Sequence, residues 1–441
     1  MKSRYLISFI ILSLVAVSTL FMKNELVPNA NGIDKADLAW ILTASGLVLL
    51  MTPGLSFFYG GMVSKKNIIS TMLQSFIALG AITLLFVIVG FSLCFGDSFH
   101  GLIGNPTTYF FFKNVNLSVE PKFAATIPII LFAVFQLKFA IITPALITGS
   151  FAERVKFNGY LLFICLFSIF IYAPLAHWTW HPEGFLRKWG VLDFAGGTVV
   201  HMSAGYAALA GAIFLGQRHS FGDNKHTEPA NIPYVLLGTG MLWFGWFGFN
   251  AGSALGATPQ AAQAFATTMI ASASAMITWI FFDAARGKKV SALGACIGAV
   301  VGLVAITPAA GFVSVPHSIF IGFIAAIISN LAVRAKNKSN LDDTLDVFPC
   351  HGVGVIVGMI CTGIFAKDVG LIYGETTTFL YHLLALVIVS VYSFGGSYIL
   401  YFISDKIIPM RVSHEEEKVG LDISQHGESY GRKVNPNESI S

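Results

Sequence analysis

The sequence predicts an all-α polytopic membrane protein, and three observations support this fold class. Of the 441 residues, 55% are hydrophobic and only 11% are charged, whereas a soluble domain carries about 25% charged residues. The mean hydropathy is +0.72. The chain also contains eleven apolar runs near the length of about 17 to 25 residues that an α-helix needs to cross a bilayer. Eleven transmembrane helices are therefore expected.

The eleven predicted spans are separated mostly by short polar connections. They are Ala39 to Gly61, Ile68 to Phe95, Ala124 to Ser150, Asn158 to Trp180, Phe194 to Gly216, Ile232 to Ala251, Ala262 to Asp283, Val290 to Thr307, His317 to Val333, Cys350 to Ala366 and Thr376 to Ile403. The ends of spans eight and nine are the least regular, because Pro308, Gly311 and Pro316 interrupt the apolar pattern. Residues 37–403 form the predicted transmembrane domain, and residues 404–441 form a polar tail.

The N-terminal segment, residues 1–22, has a basic start and then an apolar stretch, as a secretory signal does. Ala16 and Ser18 provide small residues at cleavage spacing, and the apolar stretch is short. These features favour a signal peptide. An uncleaved twelfth helix is the alternative, and either interpretation places Asp37 on the external side of the membrane.

Basic residues predict the orientation of the chain, because lysine and arginine concentrate in cytoplasmic loops. One alternating set of loops carries most of them: Lys65, Lys66, Arg154, Lys156, Arg218, Lys225, Arg286, Lys288, Lys289, Arg334, Lys336, Lys338, Lys406 and Arg411. The prediction is a multi-pass protein of the cytoplasmic (inner) membrane, with the mature N-terminus outside and the tail in the cytoplasm. The net charge of only +4 and the scattered basic residues indicate no nucleic-acid partner.

Two histidines with nearby aspartates mark the start of apolar spans in opposite halves of the chain. Asp193 precedes His201 in the fifth span, and Asp346 precedes His351 at the tenth, with the histidines 150 positions apart. Five spans per half is an odd number, so the second five must be inverted relative to the first. A five-plus-five inverted repeat would bring both histidines together near the membrane midplane. Ionisable groups inside a membrane usually mark a transport path or a proton relay.

No metal site or cofactor site is indicated. The five cysteines lie within or at the ends of apolar spans without a CxxC pair, which is typical of small side chains packed between helices. His177 and His181 have helical metal-ligand spacing, but no carboxylate motif accompanies them. They are interpreted as residues of the membrane interface.

Six motifs, in order along the chain, resemble those of the ammonium transporter family, which bacteria, yeast and plants share and to which the Rhesus proteins are related. The motifs are FFYGGMVSKKN, FAER at 151–154, LDFAGGTVVH at 192–201, GWFGFNAGS at 245–253, DVFPCHGVG at 346–354 and GLDISQHGE at 420–428. The resemblance extends over nearly the whole chain. It implies a bacterial-type transporter with eleven spans, assembled as a homotrimer in membrane lipid, with one narrow pore per subunit.

The resemblance also implies roles for individual residues. Trp180, Ser253, Phe135 and Phe139 would form an external recruitment site, in which aromatic faces attract a cation and the serine hydroxyl accepts a hydrogen bond. Phe139 and Phe249 would close the pore below this site as a gate.

Below the gate, the resemblance makes His201 and His351 the twin histidines of the pore, which pass hydrogen bonds to ammonia and can relay a proton. The aspartate that matches Asp193 supports the external site through hydrogen bonds. Asp346 is expected to have the equivalent role at the inner end. The ordered family tail implies coupling between subunits and a surface for a PII-type signal protein.

Three functions remain open from the sequence: an ammonium transporter that is not an enzyme, an ammonium sensor with the same binding site, and a membrane enzyme that uses the histidines. The enzyme lacks a surrounding carboxylate and cysteine cluster, and the sensor lacks an appended signalling domain after Glu428. Lys138 is unexpected, because it lies in mid-membrane beside Phe139. It is interpreted as a residue of a subunit contact, and a cation-repelling charge near the gate is the alternative.

Overall fold

The computed structural model describes residues 2–22, 31–222 and 228–431. Helices make up most of this part of the chain. Several residues used in the sequence predictions lie outside it, namely Met1 of the N-terminal segment, Lys225 of the orientation argument and residues 432–441 of the tail.

The described residues of the first half of the chain form nine α-helices, several of which are continued by short π-helical or 3-10 turns. They are α1 (Lys2–Ser18), α2 (Lys35–Met62), α3 (Ile68–Leu85), α4 (Phe91–Phe95), α5 (Ile129–Ile147), α6 (Phe157–Phe167), α7 (Ala173–Trp180), α8 (Phe185–Lys188) and α9 (Ser203–Leu215). The π-helical turns Phe86–Gly90 and Ser168–Tyr172 join α3 to α4 and α6 to α7, so that each pair of helices forms one long span.

In the part of the second half that the structure describes there are seven α-helices, the last of which lies in the tail. They are α10 (Ile232–Gly252), α11 (Pro259–Ala285), α12 (Ala292–Ile306), α13 (Val315–Asn337), α14 (Gly354–Phe365), α15 (Thr377–Ile407) and α16 (His414–Val419). Side-chain caps define where several of them begin. Asn231, Thr258 and Ser291 accept backbone N–H bonds at the starts of α10, α11 and α12, which satisfies donors that a helix start leaves free.

Ten helical stretches in the described residues are long and apolar enough to cross a membrane. The predicted eighth span corresponds to α12, which has only 15 residues. At 1.5 Å per residue this helix is about 22 Å long, whereas the hydrocarbon core is about 30 Å thick. The fold class of an all-α polytopic membrane protein is confirmed. Cleavage of the N-terminal segment, which is helical over Lys2–Ser18, stays a prediction.

Two small β-hairpins between α4 and α5 differ from the prediction. β1 (Ser98–Phe99) pairs with β2 (Ile103–Gly104), and β3 (Val119–Glu120) pairs with β4 (Ala124–Pro128). The third span was predicted to begin at Ala124, but α5 begins at Ile129. The apolar run continues through both elements. Pairing of β4 with β3 satisfies the backbone hydrogen-bonding groups that a helix would otherwise satisfy. The apolar character of the residues alone does not distinguish a paired strand from a helix.

The core is built by close packing of the first spans of the two halves. Helix α2 packs along α10, and glycines allow their backbones to approach: a Cβ atom on Gly238 would lie 2.3 Å from the backbone nitrogen of Phe58. Helix α11 packs against α12 and α13. Small residues at such crossings are the usual means by which membrane helices associate closely.

Candidate functional site

A cavity of about 300 Å³ opens beside the hairpins, where α5, α7 and α10 come together. This outer cavity is polar on one side and aromatic on the other. Its wall includes Lys122, Gln136, Phe139, Trp180, Arg187, Asp193, Ser253 and Phe312. It therefore contains three of the four residues predicted for recruitment.

Trp180 and Ser253 have geometries that suit a small N–H-bearing cation. The Trp180 indole donates to the backbone oxygen of Asp193 at 3.4 Å, which holds the ring in place. The Ser253 hydroxyl donates to the backbone oxygen of Phe249 at 2.8 Å. Its oxygen keeps lone pairs that can accept an N–H bond. The Phe139 ring meets the Trp180 ring edge-on, with centroids 5.6 Å apart, so two aromatic rings face the same site.

The predicted gate residues are in direct contact at the floor of the outer cavity. The ring centroids of Phe139 and Phe249 lie 4.3 Å apart with a tilt of 32°. Both side chains are buried. The sequence placed Phe135 in the recruitment site, but the structure places it behind Phe139, at a centroid distance of 5.0 Å, rather than on the cavity wall. Phe135 thus supports the upper gate ring.

His201 and His351 lie together below the gate. Their Nδ1 atoms are 3.4 Å apart, and the His201 ring lies 5.8 Å from the ring of Phe249. His201 also stacks on Trp246 at 5.2 Å with an interplanar angle of 13°. A contact between two ring nitrogens requires one imidazole to donate and the other to accept, so the tautomers of the two rings are linked. Both side chains are almost completely buried.

Matched local structures bring the histidines together. Each histidine lies in a six-residue π-helical turn, Gly197–Met202 or Phe348–Val353, that leads directly into α9 or α14. The two elements cross at a pair of glycines, since a Cβ atom on Gly205 would lie 2.4 Å from the backbone nitrogen of Gly352. Only glycine allows this approach. The matched construction agrees with the predicted repeat.

Asp193 holds the first of these turns. Its carboxylate accepts hydrogen bonds from the backbone N–H groups of Gly196, Gly197 and Thr198 at 2.6 to 2.8 Å, and from the Thr198 hydroxyl at 2.5 Å. A carboxylate at the start of a helical segment satisfies free donors and complements the helix dipole. Asp193 is therefore positioned to order both the wall of the outer cavity and the segment that carries His201.

The equivalent role at the inner end belongs to a different residue from the one predicted. Asp343, not Asp346, accepts from the backbone N–H groups of Val347 and Phe348, at 3.1 and 2.8 Å. Asp346 instead forms an ion pair of 2.8 Å with Lys336. The spacing contained the signal, because Asp343 precedes His351 by eight residues, as Asp193 precedes His201. The motif that begins at Asp346 does not include Asp343, so the motif alone did not indicate this residue.

The two acids at the inner end, Asp343 and Asp346, have raised pKa values. Burial, together with the nearby charge of Asp346, raises the pKa of Asp343 to about 6. Burial also raises the pKa of Asp346, and the ion pair with Lys336 opposes that rise. The protonation of Asp343 therefore changes in a range close to neutral pH.

Below the histidines, further spaces lie toward the other end of the molecule. A void of about 10 Å³ borders His351, Tyr59, Met62 and Leu345, which is about the space of one water molecule. Met62 and Leu345 also line an inner cavity of about 520 Å³. The outer cavity, the phenylalanine pair, the histidine pair, the void and the inner cavity thus follow one another through shared or touching residues, and we call this series the candidate route.

The inner cavity has a charged wall that the sequence analysis did not identify. Arg218 pairs with Glu153 at 2.8 Å and with Asp342 at 2.9 Å. Arg154 lies behind Asp342 and donates to the hydroxyl of Thr344 at 2.7 Å. These side chains come from three loops that are far apart in sequence, so no local pattern could reveal the network.

Other residues near the route were also missed. Gln136 lines the outer cavity, and its buried Oε1 has no hydrogen-bond partner among the described residues. Lys122 and Arg187 place positive charge on the rim of the same cavity. Gln136 could have been noticed in the sequence, because it is a polar residue in a chain with 39 phenylalanines and many other apolar residues. Lys122 and Arg187 lie in loops, and no sequence pattern distinguished them.

Three further expectations concern residues outside the candidate route. The position of His177 at the membrane interface stays a prediction. Within the protein its side chain is fully buried, with Nδ1 2.8 Å from the backbone oxygen of Cys94 and Nε2 2.8 Å from the Ser98 hydroxyl. It anchors the hairpin region. Within the described residues, no group of histidine, cysteine and acidic side chains could hold a metal ion. Lys138 is half-buried on α5 and forms no ion pair with any described residue.

The model of the Ammonium Transporter Family matches residues 39–430. An ammonium transporter of Aquifex aeolicus is 45% identical over 406 residues, covering 90% of this chain and 93% of the relative. The chain belongs to the ammonium transporter family. The crystal structure of Saccharomyces cerevisiae Mep2 is similar, with a TM-score of 0.83, 33% identity and coverage of 92% of this chain and 94% of that one. A structure titled Sensor Amt Protein is also similar, with a TM-score of 0.82, 31% identity and coverage of 88% and 97%.

Membership places this chain among membrane transporters for ammonium and not among enzymes. The family match begins at the start of the first span and ends in the tail. It therefore includes both cavities and the phenylalanine and histidine pairs between them.

Proposed function

We propose that this family member takes up ammonium across the cytoplasmic membrane, with its outer cavity facing the exterior and its tail in the cytoplasm. The observation that carries the proposal is the column of two rings and two imidazoles. Phe139 and Phe249 stack at 4.3 Å directly above a histidine pair at 3.4 Å. This column lies between two polar cavities.

Recruitment takes place in the outer cavity. Ammonium has four N–H donors, and the cavity supplies the Ser253 hydroxyl as an acceptor and the rings of Trp180 and Phe139 as π-faces. Each cation–π contact contributes about 0.5 to 2 kcal/mol. The unpartnered Oε1 of Gln136 is a further acceptor on the same wall. Together these groups replace part of the hydration shell that the ion loses.

Selectivity follows from the closed ring pair. Phe139 and Phe249 leave no continuous water path, so the substrate must give up hydration to pass. Potassium can neither donate a hydrogen bond nor lose a proton. Ammonium can do both, and ammonia can cross the apolar constriction as a neutral molecule. The gate thus excludes potassium by chemistry rather than by size.

The histidine pair then accepts the neutral substrate. His201 and His351 share one hydrogen between their Nδ1 atoms, and this leaves other ring nitrogens to meet ammonia. His201 Nε2 is buried with no partner among the described residues. A proton can move along the linked imidazoles while ammonia moves beside them. The proton that ammonium gives up passes along the imidazoles and returns to ammonia in the inner cavity, so that ammonium is restored there.

Assembly and regulation belong to the same proposal. The subunit forms a homotrimer, and its cytoplasmic face is a docking surface for a PII-type signal protein. The tail is folded against its own subunit: Lys66 Nζ donates to the backbone oxygens of Glu417 and Lys418 at 2.9 Å, and Asp422 accepts from the Ser70 N–H at 2.8 Å. A partner that contacts the tail would therefore also act on the loop before α3.

The test is a current measurement on a solid-supported membrane carrying proteoliposomes, after a pulse of ammonium or of potassium. We expect a transient current with ammonium and none with potassium. His201→Ala should reduce or alter the transient, because it breaks the histidine pair. His317→Ala is the matched control, since His317 lies at the start of α13 and outside the route. Equal effects of both substitutions would contradict the histidine path.

An ammonium sensor with the same binding site is the second candidate, favoured by the similarity to the structure titled Sensor Amt Protein. It predicts ammonium binding without transport. Wild-type protein that binds ammonium but shows neither current nor a pH change inside the vesicles would establish the sensor. A pH change without current would indicate electroneutral passage of ammonia.

A further inference from the structure

Trp246 is a buried residue of α10 that contacts both the gate and the histidine pair. Its side chain is only 1% exposed. Its ring is nearly parallel to the ring of His201, with centroids 5.2 Å apart and an interplanar angle of 13°. The same indole lies 5.5 Å from the ring of Phe249. Trp246 is therefore placed to influence the first imidazole below the gate.

A chain of two hydrogen bonds fixes the plane of the Trp246 ring. The indole N–H donates to the hydroxyl of Thr307 at 2.9 Å, and this hydroxyl donates to the backbone oxygen of Leu303 at 2.8 Å. Thr307 is fully buried and directly follows α12. A buried indole N–H without an acceptor would be costly, so this bond favours one orientation of the ring. The end of α12 thus positions an indole that α10 carries.

The stacked indole orients the ring of His201. A face-to-face contact uses neither ring nitrogen, so both nitrogens stay available in the plane of the imidazole. Nδ1 of His201 lies 3.4 Å from Nδ1 of His351, and its buried Nε2 has no hydrogen-bond partner among the described residues. A tilt of the His201 ring would break the stack on Trp246. The indole therefore helps to keep Nδ1 directed at His351.

The two histidines differ in their aromatic surroundings, although their backbone turns match. His201 contacts the rings of Trp246 and Phe249 as well as His351. In the described part of the chain, the ring contacts of His351 are limited to His201. The face of an indole attracts a cation. The stack on Trp246 is therefore more favourable when His201 carries a positive charge, and no equivalent contact exists at His351.

We propose that Trp246 is a positioning residue for the proton relay, which holds the His201 ring in place and stabilises this ring while it carries the proton. The inference rests on the proposed transport function. In the step concerned, an N–H bond of ammonium breaks and its proton binds Nε2 of His201. The Nδ1 proton of His201 then passes to Nδ1 of His351, and the Nε2 proton of His351 returns to ammonia on the inner side. Thr307 acts through Trp246, because it fixes the indole.

The test compares two signals from the same proteoliposomes after an ammonium pulse, the current and the alkalinisation that a dye inside the vesicles reports. Current measures the charge that crosses, whereas alkalinisation measures ammonia that arrives without its proton. Trp246→Leu removes the aromatic face and should lower the current by about 2- to 30-fold, the range of one cation–π contact. Alkalinisation should persist. Trp246→Phe keeps an aromatic face and should retain more current than Trp246→Leu.

The hydroxyl that holds the indole allows a second pair of variants. Thr307→Val removes the acceptor of the indole N–H and should lower the current, whereas Thr307→Ser keeps the hydroxyl and should preserve it. Trp243→Leu is the matched control, because Trp243 lies about one turn earlier on α10 and outside the candidate route. It should leave both signals unchanged. Equal currents in Trp246→Leu and Trp246→Phe, or a parallel loss of current and alkalinisation, would overturn the proposal, since the indole would then only fill space.

A further measurement does not depend on transport. Nitrogen-15 NMR of protein labelled at histidine reports which ring nitrogens carry a hydrogen, and the signals of His201 are assigned by their absence in His201→Ala. Trp246→Leu and Thr307→Val should shift these signals, and Thr307→Ser should not. Unchanged signals in the first two variants would show that the indole does not position His201. Shifted signals together with a wild type that carries no ammonium current would instead support the positioning role and contradict the proposed transport function.

Discussion

Replacing Arg218 with methionine is expected to destabilise the inner end of the protein strongly. The Arg218 side chain forms three hydrogen bonds, to Glu153 at 2.8 Å and to both carboxylate oxygens of Asp342 at 2.9 and 3.0 Å. The side chains of Glu153 and Asp342 are only 6% and 1% exposed. Arg218→Met therefore leaves two buried carboxylates without their shared cation.

The expected loss in the free energy of unfolding is about 3 to 5 kcal/mol, as for other buried ion pairs that lose one partner. Solvent screening reduces this expected loss only slightly, because the Arg218 side chain is itself only 11% exposed. Arg154 offers partial compensation to Asp342, at 3.9 Å. Loss of the Arg218 charge should therefore destabilise the protein more through Glu153 than through Asp342. Glu153→Gln combined with Arg218→Met should recover part of the lost free energy of unfolding. The glutamine side chain introduced in this double variant would still accept the hydrogen bond that the Ser64 N–H now donates to Glu153.

The pH dependence provides a second readout with a defined sign. Burial would raise the pKa of Glu153 and of Asp342. The charge of Arg218 lowers the pKa of Glu153, and the charges of Arg154 and then of Arg218 lower the pKa of Asp342, so that both lie below their ordinary values. Their stabilising contribution in the wild type is thus complete above the unfolded pKa values, near pH 4 to 4.5. It is lost only as pH falls through the lower folded values. In Arg218→Met, burial dominates at Glu153 and its folded pKa rises, whereas Arg154 still opposes that rise at Asp342. Stability should therefore increase as pH falls from 7.5 to 5.5, mainly through Glu153.

The assay is thermal unfolding in detergent at a fixed scan rate, because membrane proteins of this size often unfold irreversibly. Wild type should change little between pH 7.5 and 5.5, whereas Arg218→Met should melt several degrees lower at pH 7.5 and recover at pH 5.5. Lys406→Met, an exposed basic residue on the same face, is the control. A melting temperature for Arg218→Met equal to the control, or parallel pH responses, would refute the reasoning.

Three further predictions concern the route and the crossing of the two halves. Phe249→Ala should let water fill the gate and produce potassium current; continued exclusion of potassium would contradict its role as a gate. Gly205→Ala would place a Cβ atom 2.4 Å from the Gly352 nitrogen and should lower stability by about 1 to 3 kcal/mol, and a wild-type melting temperature would show that the backbones can separate freely. Lys122→Gln with Arg187→Gln removes positive charge from the outer rim and should raise ammonium uptake at low ionic strength. This gain should fade at about 1 M salt, where the Debye length is near 3 Å, and a gain that persists there would argue against an electrostatic cause.

Sequence reasoning predicted the spans well because each one must be apolar along its length. The second span matches its predicted bounds, Ile68 to Phe95, and α10 differs from its prediction by one residue. The predicted start of the third span, Ala124, was wrong, because the apolar residues there form strand β4 before the helix begins. Composition reports the environment of a segment, and here it did not distinguish a paired strand from a helical turn.

The residues of the candidate site likewise include some that the sequence indicated and others that only the structure placed. The sequence by itself determined the membrane fold, the two histidine-bearing segments and, through motif resemblance, the rings above them. Only the tertiary structure decided that Phe135 lies behind Phe139, that Asp343 rather than Asp346 supports the inner turn, and that Arg218 joins Glu153 and Asp342. The physical reason is the separation along the sequence of the residues that determine each feature. Apolar length and local spacing are properties of neighbouring residues, whereas these contacts depend on how helices and loops distant in sequence meet when the two halves cross at Gly205 and Gly352.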